Sequence, residues 1–136
     1  MRFDTKIAVA VREDLAPWQK LNVTAFLSSG VAHARPDSVG KPYEDASGNT
    51  YFAMFREPVL VYGADARTLA RTLERARSRG LAAALYTGQL FATGNDDDNR
   101  AAVRGVAAAD LDLVGVAVHG PRADVDKAVR GLRAHP

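Results

Sequence analysis

Short apolar runs alternate with segments of helical periodicity along this chain, and this alternation predicts an α/β fold. Four apolar runs have the length and composition of buried strands, at residues 7–11, 57–63, 81–86 and 111–119. Apolar residues at helical spacing follow at 17–30, 65–79 and 121–132, with a shorter helix predicted at 99–103. Together these elements predict one domain over residues 1–136, built from βαβ units.

The segment after the first strand carries the most informative chemistry. A polar loop, residues 12–16, leads to Pro17, whose fixed φ and missing N–H suit the first position of a helix. We expect this helix to end at Gly30. Parallel strands present their carboxyl ends at one edge of a sheet, so residues 12–20 and residues 87–89 are expected to meet there.

A turn-rich segment, residues 45–49, separates two extended pieces and predicts a small hairpin that leaves the main sheet. Its aromatic residues are Tyr43, Tyr51, Phe52 and Phe55. Three roles are open for them: capping the core, forming a dimer face or lining a pocket. Exposed apolar clusters favour association, so we predict a homodimer.

Composition excludes several classes of protein. The chain has no cysteine, which excludes disulfides and thiolate chemistry. It begins without a long apolar segment and contains no long uncharged apolar run, so we expect a cytoplasmic protein with no membrane partner. A formal net charge of +2 is low for a dedicated nucleic-acid-binding domain.

Charged and histidine residues give few further sites. Four arginines recur at every fourth position of the second helix, which indicates either a phosphate-binding stripe or, as we favour, a solvated face: Arg67, Arg71, Arg75 and Arg79. The acidic residues 96–98 are better placed to start a helix than to bind calcium. Metal-ligand spacing is missing among His33, His119 and His135, and phosphate-binding glycine motifs are also missing, so we predict no metal and no cofactor.

Two parts of the chain resemble type II peptidyl-tRNA hydrolases. Val11-Arg12, Asp14-Leu15 and Lys20 resemble the opening of that family, and residues 116–121 with the helix that follows resemble its close. The resemblance implies a three-layer α/β/α sandwich with a mixed four-stranded sheet, in the order 2-1-4-3, whose fourth strand is antiparallel. Residues 93–106 are an insertion relative to that family and could reshape or cover the site.

The sequence departs from this family at two functional positions. Thr24 stands where the family has a glutamine, and Thr87 stands where it has an aspartate. The chain is therefore identified as a divergent branch, an uncharacterised bacterial family that resembles type II peptidyl-tRNA hydrolases in fold. Peptidyl-tRNA hydrolysis itself is expected to be weak or absent, because a threonine cannot supply the charge or the basicity of an aspartate.

Three functions remain open at the crevice between residues 12–20 and Thr87. The resemblance implies a hydrolase of an ester or amide, with Lys20 as electrostatic stabiliser and Thr87 or Thr24 orienting water. The second is a non-enzymatic module that binds a small molecule or anion, and the third is a tRNA-binding protein. The expected ligand-binding residues are Arg12, Asp14, Trp18, Gln19, Thr24, Gly88 and Gln89.

The start of the first helix is predicted to attract an oxyanion. The N–H groups of Trp18 and Gln19 are expected to be unpaired there, and Arg12 and Lys20 add positive charge. Asp14 is expected to turn inward and accept backbone N–H bonds.

Overall fold

The computed structural model describes residues 3–136, so residues 1 and 2 of the predicted domain lie outside it. Within the described residues the chain forms four α-helices, a five-stranded sheet and a separate two-stranded hairpin. The strands are β1 (Thr5–Arg12), β2 (Tyr43–Glu44), β3 (Thr50–Tyr51), β4 (Val59–Ala64), β5 (Ala83–Thr87), β6 (Leu113–Pro121) and β7 (Arg133–Ala134). The helices are α1 (Pro17–Ala34), α2 (Ala66–Ser78), α3 (Asp96–Arg104) and α4 (Arg122–Ala128).

The main sheet is mixed, in the order β5-β6-β1-β4-β7. Strands β1 and β4 are parallel, and β6 runs antiparallel to both of its neighbours, so the four long strands lie in the order and directions that we expected. The expected count of four strands is wrong, because Arg133 and Ala134 pair with Gly63 and Tyr62 and add a fifth strand. Two residues are too few to show the alternation by which a strand is recognised.

Helices cover both faces of this sheet, because alternate residues of its central strands point to opposite sides. On one face α1 buries a cluster that includes Ile7, Val9, Val11, Val23, Leu27 and Val31. On the other face α2 and α4 bury a cluster that includes Ala8, Ala10, Leu69, Leu73, Val118 and Val125. The result is three layers, and α1 and α2 lie on opposite sides of the sheet.

The first helix is longer than its sequence pattern indicated. It continues through Gly30 to Ala34, so the expected end at Gly30 is wrong. A Cβ atom at Gly30 would lie only 3.2 Å from the Cβ of Ala84, which shows that this glycine lets α1 approach β5 closely. The helix ends because Pro36 disfavours helical geometry at Arg35.

Other helix boundaries follow their capping residues. Asp65 accepts the backbone N–H of Thr68 and starts α2, as expected. Asn95 caps α3, whose first turn holds the acidic residues 96–98. The last helix, α4, ends at Ala128 rather than at residue 132.

None of the helices in residues 3–136 combines the length and apolarity that a membrane crossing requires.

The predicted hairpin is formed by β2 and β3, and we call residues 43–54 the arm. Tyr43, Tyr51 and Phe52 are exposed on it, Phe52 by 95%, so a role in capping the core is wrong for these three side chains. Phe55 differs, because it is partly buried and packs against the α1-side cluster. The turn is held by Asp45, whose carboxylate accepts the N–H groups of Ser47 and Asn49.

The crossing of α1 over β6 offers a test of this packing. A Cβ atom at Gly115 would lie 2.5 Å from Cγ1 of Val23 and 2.9 Å from Cδ1 of Leu27. We expect Gly115→Ala to lower the free energy of unfolding by about 1–3 kcal/mol, because the helix must move outward. Urea denaturation measures the change. Gly94→Ala is the control, since nothing lies within 4 Å of that position, and equal effects of the two substitutions would contradict the proposed contact.

Candidate functional site

The loops that follow β1, β4 and β5 meet at one side of the sheet, where these three strands end. We call this side of the sheet the carboxyl edge. Arg12 lies at its centre: Nε donates to Oδ1 of Asp14 at 2.6 Å, and Nη1 donates to Oδ1 of Asp112 at 2.8 Å. The N–H of Gly88 donates to the carbonyl oxygen of Asp112 at 2.9 Å. The structure therefore brings together Arg12, Asp14 and Gly88 of the predicted site.

Asp112 is a member of this edge that sequence reasoning missed. It lies directly before β6, and because β6 is antiparallel its first residues reach the edge where the parallel strands end. A Cβ atom at Gly88 would collide with its carboxylate, so the side chain of Asp112 would have to shift if another residue stood there. The antiparallel direction of the last strand was the signal that could have identified Asp112.

The charge of Arg12 is matched by carboxylates. Its hydrogen bond to Asp14 is the main contribution that raises the pKa of Arg12 above its ordinary value, and Asp112 adds to it. Asp14 does not turn inward to backbone N–H groups as expected, because its carboxylate accepts from the guanidinium. Arg12 thus joins the loop after β1 to the residue before β6, and two negative charges offset its positive charge.

The start of α1 has fewer unpaired donors than we expected. The N–H of Gln19 donates to the carbonyl of Ala16 at 3.0 Å, and Oε1 of Gln19 accepts the N–H of Ala16 at 3.0 Å. Gln19 and Ala16 therefore satisfy each other's hydrogen-bonding groups at the start of the helix. Of the two N–H groups expected to be unpaired, only that of Trp18 has no acceptor in the described part of the chain.

Aromatic contacts link this helix start to the segment after β5. Trp18 is 62% exposed and packs edge-to-face against Phe91, with 6.1 Å between the ring centroids. Phe91 in turn packs against Tyr86 of β5 at 5.2 Å. The contact with Phe91 places Trp18 near residues 88–91. Gln89, in the same segment, is exposed.

Lys20 lies on the side of α1 that faces the sheet, since it precedes the buried residues Val23 and Leu27 by three and seven positions. It is partly buried and forms no ion pair within residues 3–136. Thr24, one turn further on, donates its hydroxyl to the carbonyl oxygen of Lys20 at 2.8 Å. That hydroxyl is therefore engaged within its own helix.

Thr87 ends β5 inside the protein. It is 1% exposed, and its hydroxyl oxygen has no hydrogen-bond partner among residues 3–136. No hydrogen bond joins Lys20 to Thr87 in the described part of the chain, so the two predicted catalytic residues do not form a pair.

A crevice of about 380 Å³ opens between the loop after β1 and the start of α2. It lies where α1 and α2 leave for opposite faces of the sheet, which is the usual ligand position in open α/β sheets. One guanidinium and three carboxylates line it, those of Arg12, Glu13, Asp14 and Asp65. The balance of charge disfavours an anion in this crevice.

The buried hydroxyl of Thr87 leads to a stability prediction. We expect Thr87→Val to raise the free energy of unfolding by about 1 kcal/mol, because it removes an unpaired buried hydroxyl and keeps the side-chain shape. Thr24→Val is the matched control and should give no gain, since its hydroxyl is paired. Urea denaturation compares the two, and a clear loss of stability in Thr87→Val would show that the hydroxyl has a partner.

Comparison with known proteins agrees with the fold. The sequence model of a family described as protein of unknown function (DUF2000) matches residues 5–136. A solved structure of a protein of unknown function, Atu0240 from Agrobacterium tumefaciens strain C58, is 40% identical to this chain, with a TM-score of 0.96 over 99% of this chain and 100% of that one. A search of curated proteins finds no match. The expectation of an uncharacterised family is confirmed, and this chain belongs to the DUF2000 family of proteins of unknown function.

Proposed function

We propose that this protein is a non-enzymatic module that binds a small anionic molecule at the carboxyl edge, beside Lys20. The observation that carries this proposal is the contrast between two cations. Arg12 is matched by Asp14 and Asp112, whereas Lys20 is partly buried, faces the sheet and has no carboxylate partner in residues 3–136. An ammonium group without a counter-charge gains more from an anionic ligand than a cation that is already paired.

Hydrolysis of an ester or amide is the second candidate, and the resemblance to type II peptidyl-tRNA hydrolases is its main support. It requires Lys20 to stabilise developing negative charge and a threonine to orient water. The hydroxyl of Thr87 is buried, and that of Thr24 donates to the carbonyl of Lys20. Both threonines are therefore poorly placed to reach a water molecule, and the geometry supports binding better than turnover.

Recognition of tRNA has less support. It needs one continuous positive surface that includes Lys20 and the arginines of α2. These helices lie on opposite faces of the sheet. Moreover, Arg75 donates to the carbonyl of Arg130, and Arg79 pairs with Asp124 at 3.4 Å, so part of the stripe is engaged with α4 and the loop that follows it.

The proposal predicts weak anion binding without turnover. Titration with inorganic phosphate, followed by amide chemical shifts, should perturb Trp18 and Lys20, and the effect should decrease as salt is added. Lys20→Gln should weaken binding roughly tenfold, the loss expected for one charge-assisted hydrogen bond. Lys41→Gln is the matched control, because Lys41 is exposed and distant in sequence from this edge.

The same samples distinguish the alternatives. The wild-type protein should not cleave peptidyl-tRNA, whereas cleavage that is lost in Lys20→Ala would favour the hydrolase. Phosphate shifts confined to α2, with none at Trp18 or Lys20, would place the anion site on the arginine stripe and contradict the proposal.

We further propose that the protein associates with a second copy of itself. Helix α1 has apolar residues on more than one side: Val23, Leu27 and Val31 are buried, whereas Trp18, Leu21 and Phe26 are exposed. The arm exposes a second uncharged apolar surface, formed by Tyr43, Tyr51, Phe52 and Met54. Two exposed apolar surfaces on one chain can form a self-complementary dimer.

The dimer proposal predicts a mass of two chains in light scattering at micromolar concentration. Replacing Phe52 and Met54 together by serine should yield monomers, because both side chains are exposed and contribute nothing to the core. Arg71→Gln, an exposed change on the opposite face, should leave the dimer intact. A wild-type monomer under these conditions would refute the proposal.

A further inference from the structure

We infer that the arm of each copy of this chain occupies a groove beside β5 of a second copy. This inference rests on the association proposed above, and it assigns the two surfaces that meet. The groove has a volume of about 490 Å³, lies between α1, β5 and α3, and is called the β5 groove here. Its apolar lining includes Phe26 and Leu27 of α1, Leu85 of β5, Leu90, and Val103 of α3.

The free edge of β5 is the first observation. This strand is outermost in the main sheet, and in the described residues it pairs only with β6. Residues 81–87 contain no charged side chain and no proline. The other outermost strand, β7, has only two residues and includes Arg133, and shortness and charge are the usual protections of a sheet edge. The edge of β5 lacks the protection of charge or proline and is therefore suited to receive a further strand.

The arm supplies an extended segment of the same character. Residues 50–54 contain no charge and no proline. On one side their backbone pairs within the arm and with Gly40, whose N–H donates to the carbonyl oxygen of Met54 at 2.9 Å. The other side has no backbone partner within residues 3–136. Strand addition joins two such edges by main-chain hydrogen bonds.

Two side chains of the arm fit the β5 groove. Phe52 and Met54 are two positions apart in an extended segment, so they point to the same side. Both are exposed, Met54 by 61%. A cavity of about 150 Å³ holds benzene, so a groove of about 490 Å³ has room for the phenyl ring of Phe52 and the thioether chain of Met54.

Helix α1 lies between the β5 groove and the arm. In the sheet order, β5 and β4 are on opposite sides of β6 and β1, and the arm joins the fold shortly before β4. A two-fold axis through the outer side of α1 would bring the arm of each copy to the β5 groove of the other. The exposed side chains of Leu21 and Phe26 would then lie close to that axis.

The surface available is sufficient for a stable dimer. The exposed side chains of the arm are Tyr43, Tyr51, Phe52 and Met54, and each is at least half exposed. Since an aromatic side chain buries roughly 150–250 Å², each arm contributes about 500 Å². Two arms and the two grooves that receive them would bury about 2,000 Å², whereas stable interfaces bury about 1,200 Å² or more.

Thiol cross-linking tests the contact directly, because the chain has no cysteine of its own. Met54→Cys places a thiol on the arm, and Val103→Cys places one in the β5 groove. A short bismaleimide should link the two variants when they are mixed, and it should give little covalent dimer with either variant alone. Denaturing gel electrophoresis measures the product. Arg71→Cys, exposed on the opposite face of the sheet, replaces Val103→Cys in the control mixture and should give no product.

A second pair of variants tests the groove by its charge. Val103→Arg should yield monomers in light scattering, because its guanidinium would be buried against the incoming arm. The variant should fold normally, since none of the residues of α3 is buried. Ala101→Arg is the matched control, because Ala101 is exposed on the same helix and does not line the groove, and it should leave the dimer intact.

The outcomes separate this inference from the association on which it rests. If the wild type is a dimer but the mixed cysteine variants give no covalent product, the inference is overturned and the association stands. Cross-linking of Met54→Cys alone as strongly as in the mixture overturns it as well, since the two arms would then meet each other. Equal behaviour of Val103→Arg and Ala101→Arg has the same consequence. A wild-type monomer without covalent product refutes both proposals.

Discussion

The antiparallel pairing of β1 with β6 is the interaction on which the rest of this structure depends. Both strands are buried along nearly their whole length, so each must be covered on two faces. That requirement places α1 on one side and α2 with α4 on the other. Because β6 runs against the parallel strands, it also carries Asp112 to the carboxyl edge and His119 toward the opposite end. The direction of one strand thus supplies a polar group to each end of the sheet.

The two ends of the sheet differ in how their positively charged side chains are paired. At the carboxyl edge Arg12 ties two loops together through Asp14 and Asp112, which makes it a structural cation. Lys20 is left without a counter-charge in the described residues, and so is Arg35 at the other end of α1. Helix α1 therefore has a cation without a counter-charge near each of its ends. Between these ends, Val23, Leu27 and Val31 are buried against the sheet.

Sequence periodicity was sufficient to predict the long strands and helices, but it did not predict the close contacts between them. The apolar runs of β1, β4, β5 and β6 and the capping residue Asp65 are local signals, and the structure follows them. The end of α1 was misjudged because Gly30 serves packing against Ala84 and not chain termination. Asp112 and the pairing of His119 with Glu57 depend on residues that are distant in sequence. No spacing rule can reveal such contacts before the sheet order is known.

The turn of the arm determines how much order this surface has before any partner binds it. Besides the backbone N–H groups, Asp45 accepts the hydroxyl of Tyr51, and this bond is the main cause that lowers the pKa of Asp45 to about 2. A carboxylate with a depressed pKa keeps these bonds wherever the pH exceeds its ordinary value of 3.8, and loses them only as the pH falls through about 2. The arm is therefore already ordered before it meets any partner. The conformational entropy of ordering the loop has been lost during folding, so it would not reduce the affinity of a partner that binds the arm.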